Sequence, residues 1–114
     1  MCEFKVVIED NGSVIAENIV KTFYEGKTLK LVNILNETVD VENAMISSVD
    51  VGKEELKILE HPLLGAVFEF LKIYLVYQSK NIYNPLVEEL WNRVKSLGEV
   101  MLRELWIRSR GTRK

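Results

Sequence analysis

The tripeptide Glu60-His61-Pro62 separates two stretches whose hydrophobic patterns demand different kinds of structure. A residue before proline is pushed towards extended geometry, so the last strand of the first stretch ends there. Upstream, apolar residues recur in short runs with the period of a strand. Phe4, Val6 and Ile8 alternate with Glu3 and Lys5, followed by Asp10-Asn11-Gly12-Ser13. Asn-Gly is a strong hairpin signal because a type I′ turn needs two positive φ angles. Val14 to Ala16, Ile19 to Tyr24 and Leu29 to Leu31 continue the pattern, with Glu25-Gly26-Lys27 as a second turn. Apolar parity shifts at Val32-Asn33-Ile34, which predicts a bulge or a change of register. A turn at Asn36-Glu37, a strand from Met45 to Val51, a break at Gly52 and a last strand from Leu56 to Leu59 complete the set.

Downstream the periodicity becomes helical. Leu63 to Gln78 is apolar almost all round, which predicts a helix over 63–78 buried on most sides. Ser79 to Tyr83 reads as a loop. Asn84-Pro85 then supplies an N-cap and a first-turn proline, with Glu88 and Glu89 near the positive end of the helix dipole. Leu86, Leu90, Val94, Leu97, Met101 and Leu105 form one stripe, widened by Val87, Trp91, Leu102 and Trp106, of a long amphipathic helix over 85–108. The expected fold is therefore α+β: a small antiparallel β-barrel or curled sheet over residues 1–60, then a two-helix C-terminal extension over 61–114. Neither part is large enough to bury its apolar surface by itself, so the helices are expected to pack on the sheet and to form a homodimer.

Charge follows the same division. Residues 1–60 carry six lysines against twelve acidic residues, a net −6; residues 61–114 carry nine basic against five acidic, a net +4. The chain total of −2 hides this. An acidic β unit argues against an RNA-binding barrel face. The basic residues Arg103, Arg108, Arg110, Arg113 and Lys114 gather at the end of the second helix and in the tail, where they complement the helix dipole. The most hydrophobic stretch, Leu63 to Tyr77, contains Glu69 and Lys72 and falls short of the about 20 apolar residues that span a bilayer. No secretory signal is visible at the N-terminus, and a cytoplasmic protein is expected.

The chain has one cysteine, Cys2, and one histidine, His61. That count excludes a disulfide framework and a Cys/His metal cage built by one chain. Cys2 has two readings. It shares parity with Phe4, Val6 and Ile8, so a strand beginning at residue 2 would turn its thiol into the core as a small hydrophobe. Alternatively, removal of the initiator methionine leaves a free α-amine beside the thiolate, a five-membered chelate suited to Ni(II) or Cu(II). Two such termini meeting at a two-fold axis would complete a coordination sphere. His61 before Pro62 reads as a hinge residue. Glu54-Glu55 and Glu88-Glu89 are adjacent in sequence and so face different ways, which is not the arrangement of a catalytic acid/base pair. No nucleophile has a partner base implied by spacing, and there is no phosphate-binding glycine loop, so an enzyme is not the expected class.

Met1-Cys2-Glu3 opening a short β unit, the hairpin near Asn11-Gly12, Leu31 to Glu37, and the closing Ile46, Val49 and Leu56 to Glu60 together resemble the CooT family. The resemblance covers residues 1–60. It implies a dimeric nickel-binding accessory protein that serves a metalloenzyme, with Cys2 as the one position matching the metal-binding residue. An older label of that family, predicted RNA-binding protein, supplies the rival expectation of a non-catalytic binding or scaffolding module with Cys2 inert. Phe4 departs from the family pattern, where a small residue is usual, and is expected to crowd a site beside Cys2. The helices have no counterpart in the short family members.

Overall fold

The computed structural model describes residues 3–112, without the side chains of residues 111 and 112. Six strands are followed by two helices: β1 (Phe4–Ile8), β2 (Val14–Glu25), β3 (Thr28–Asn33), β4 (Thr38–Glu42), β5 (Ala44–Asp50), β6 (Glu55–Glu60), α1 (Pro62–Lys80) and α2 (Leu86–Thr112). The strands form one sheet in the order β4-β3-β2-β1-β6-β5. The edge strands β4 and β5 are consecutive in the chain, with only Asn43 between them. One residue can join the two ends of a six-stranded sheet only if the sheet curls back on itself. Asn43 makes the corner with a φ of 56°, a left-handed value that asparagine tolerates. The sheet is therefore curled but not closed.

Every ladder is antiparallel except β1 with β6, where Val6 lies beside Leu56 and Ile8 beside Ile58. The sheet is thus mixed rather than wholly antiparallel. The physical reason is the curl: β6 arrives beside β1 after the chain has travelled round the sheet, and no local turn fixes that direction. The parity shift at Val32-Asn33 corresponds to a break in register, where Ile19 and Lys21 on β2 face Asn33 and Val32 on β3. Val14–Ala16 and Ile19–Tyr24 belong to one twelve-residue strand, kept continuous through Asn18 at a φ of 59°. The turn after β1 is wider than type I′. Among residues 9–12 only Gly12 has positive φ, and its N–H donates to the Ile8 carbonyl at 2.8 Å, closing a helical turn.

Two compact units are present, Met1–Gly65 and Ala66–Lys114. In the first, Val6, Leu29, Leu31 and Ile58 are completely buried, and Phe4, Ile8, Ile15, Ala16 and Ile46 pack around the cluster to which they belong. The start of α1 is tied to the β4–β5 corner. The His61 N–H donates to the Asn43 carbonyl at 2.9 Å, and the Asn43 side chain lies over Gly65 so closely that any Cβ there would overlap it. Any larger residue at 65 would therefore force the Asn43 side chain to shift.

In the second unit, α1 ends in a Schellman motif. Asn81 has a φ of 54°, its N–H donates to the Gln78 carbonyl, and the Ile82 N–H donates to that of Tyr77. Asn84 caps α2, its Oδ1 accepting the Leu86 N–H at 2.9 Å. The two helices meet through Phe70 and Trp91, whose ring centroids are 5.3 Å apart, and through the ion pair of Glu69 with Arg93.

Candidate metal centre

Cys2 and its expected inward parity lie outside the described residues, as do Arg113 and Lys114. β1 starts at Phe4, two positions after Cys2, and it is a central strand, flanked by β2 and β6. Phe4 pairs with Ile19 and packs against the core cluster rather than standing free in solvent. The side chain expected to crowd a metal site is thus engaged with the interior of the sheet.

Beside Phe4 the curled sheet holds an apolar cavity of about 220 Å³, lined chiefly by Phe4, Ile19, Thr22, Ile46, Val49 and Leu56. Thr22 faces inward because its ladder partner Leu31 is a core residue. Its Oγ1 is buried with no hydrogen-bond partner among the described residues, and an unmet hydroxyl out of water costs free energy. Sequence patterning missed Thr22; only the parity of β2 after its bulge could have turned it inward. Tyr24, two residues on, is satisfied: its hydroxyl donates to the Ala44 carbonyl at 2.8 Å across the curl, from β2 to the non-adjacent β5. Burial pushes the Tyr24 hydroxyl above its ordinary pKa, and a backbone hydrogen bond at Ile46 partly offsets that. On the outer surface, a hydrogen bond to Asp40 at 2.9 Å holds the Lys30 ammonium above its usual range, aided by Glu25.

The other residues singled out by sequence have structural duties. His61 is the N-cap of α1: its Nδ1 accepts the Leu63 N–H and its carbonyl accepts the Leu64 N–H, both at 3.0 Å. Glu54 sits in the β5–β6 turn at a φ of 52°, whereas Glu55 opens β6. Glu88 accepts a hydrogen bond from the Tyr83 hydroxyl in the first turn of α2, beside Glu89. Arg110 stacks on the Trp106 ring, 4.7 Å from its centroid. Among the described residues, no group of three or more His, Cys, Asp or Glu side chains is placed to hold a metal ion. No helix among them is long and apolar enough to cross a membrane.

Residues 1–59 match the family described as CO dehydrogenase accessory protein CooT. No curated protein matches the chain. Among solved structures, the chain is similar to a protein provisionally assigned as CooT from Carboxydothermus hydrogenoformans, at 19% identity and a TM-score of 0.49. That alignment covers 53% of this chain and 98% of the other. The family match takes in just over half of the 114 residues, including Cys2 and all of β1 to β5, and on that ground the chain belongs to the CooT family of CO dehydrogenase accessory proteins.

Proposed function

We propose that this protein is a metal-binding accessory factor that holds Ni(II) through Cys2, as carrier or chaperone for a metalloenzyme, and that it works as a homodimer. The observation that carries the reading is the family match running through Met1-Cys2-Glu3 in a chain with no other cysteine. Its support is chemical. A thiolate with an adjacent amine or backbone nitrogens makes a donor set suited to square-planar Ni(II). One chain supplies too few such donors for a full N/S sphere, and two chains related by a two-fold axis supply enough. Nickel is here the cargo, and the client is a nickel enzyme of the kind the family description names, CO dehydrogenase.

The test is a Ni(II) titration of the chain carrying no tag at its N-terminus, beside Cys2→Ala. The wild type should develop a thiolate-to-nickel charge-transfer band that strengthens as pH rises, because each ligand must lose a proton. Cys2→Ala should show no band. Equal binding by the two proteins, with no band in either, would leave the rival reading of a binding or scaffolding module with Cys2 inert.

A further inference from the structure

The face of α2 around Gly98 is shaped for a second helix. Glycine inside a helix is unfavourable by about 1 kcal/mol relative to alanine, so its presence there asks for a packing reason. Among the described residues, a Cβ built at Gly98 meets nothing within 4 Å. At 3.6 residues per turn, Trp91, Leu102, Leu105 and Trp106 fall within a sector of about 100° that includes Gly98. These four side chains are 45%, 70%, 64% and 58% exposed. A bare glycine flanked by large exposed apolar groups on one helix face is the relief that lets another helix approach closely.

The charge pattern says which helix. Glu88 and Glu89 lie at the N-terminal end of α2, whereas Arg103, Arg108 and Arg110 lie towards the C-terminal end. In an antiparallel crossing centred on Gly98, positions equidistant from it face each other. Leu105, seven residues on, faces Trp91 of the second copy, seven residues back; Arg108, ten residues on, faces Glu88, ten residues back. Lys95 and Glu99, which flank Gly98, are also brought near each other across the axis. A parallel crossing would instead stack Glu88 on Glu88 and align the two helix dipoles. Both the relief and the charges are therefore self-complementary under a two-fold axis, the symmetry of an isologous dimer. We infer that α2 packs antiparallel against α2 of a second copy, with the crossing point at Gly98. This rests on the homodimer in the functional reading and adds to it where the subunits meet.

Sedimentation equilibrium of the full chain under reducing conditions tests the inference. The wild type should run at about twice the 13.2 kDa chain mass. Gly98→Leu should raise the dissociation constant by at least about 30-fold, the loss typical of blocking an interface centre. The far-ultraviolet helical signal of the dilute monomer should hold or rise, because the added side chain has room and leucine favours helix. Orientation is read from disulfide trapping in a Cys2→Ser background. Gly98→Cys should oxidise to a covalent dimer. Trp106→Cys should not, because an antiparallel crossing holds the two 106 positions about 24 Å apart. A dimer unchanged by Gly98→Leu, or trapping at 106 in place of 98, overturns this interface while leaving the homodimer standing. A wild-type monomer at micromolar concentration overturns both.

Discussion

The two units differ in how they treat their apolar residues. The sheet closes its own core: Val6, Leu29, Leu31 and Ile58 are wholly out of water. Among the described residues of the helical unit, Ala66 is the one buried apolar side chain, whereas Leu75, Leu102, Leu105 and Trp106 are each more than half exposed. The first unit has the anatomy of an independent small domain, and the second has that of one side of an interface. The family match follows this divide: it ends at residue 59 and so covers the sheet and not the helices.

Core truncations should expose the difference most strongly. Ile58→Ala should cost about 3 kcal/mol in urea unfolding, within the range for emptying a packed core site. Leu75→Ala, on an exposed flank of α1, should cost less than about 0.5 kcal/mol. Similar losses at the two sites would show that the helical unit hides a core after all.

The junction where α1 leaves the sheet comes next. Gly65→Ala places a methyl group against the Asn43 side chain and should cost about 2 kcal/mol by overpacking. Asn43→Ala in the same background should recover part of that loss, and no recovery would mean that the corner is not what the glycine accommodates.

A smaller effect belongs to the hairpin alone. Asn84→Ala removes the cap from α2 and should cost about 1 kcal/mol, read as loss of helical signal on heating, with Asn84→Asp nearly neutral. The smallest is confined to the sheet and to alkaline solution. Because burial raises the Tyr24 hydroxyl above the ordinary tyrosine pKa of about 10, its contribution is complete below that pH and declines as pH rises through the folded-state value. Tyr24→Phe should flatten the alkaline arm of the stability profile, and an unchanged arm would exclude the buried Tyr24 hydroxyl as its source.

What the sequence made legible was local. The switch of period at Pro62 separated sheet from helices, the parity shift at Val32-Asn33 marked a real break in register, and Asn84-Pro85 marked the start of α2. Each of these depends on a few neighbouring residues and on backbone rules that act at short range. The parallel pairing of β1 with β6 was not legible, because it joins residues some fifty positions apart and is set by the curl of the whole sheet. For the same reason Asn18 did not announce that β2 continues through it, and Thr22 did not announce an inward hydroxyl. His61, a hinge residue by its place before Pro62, gave no sign that its nitrogen accepts a backbone N–H and starts a helix. The candidate site rests on a single residue, Cys2, named through family resemblance more than through physics and lying outside the described residues.

The central claim, nickel held by Cys2 between two chains, is tested most directly by native mass spectrometry of the untagged protein after Ni(II) loading and removal of excess metal. The expected species is a dimer carrying one nickel ion, and an empty dimer for Cys2→Ala. Nickel retained in full by Cys2→Ala, or bound one per chain by the wild-type monomer, would contradict it.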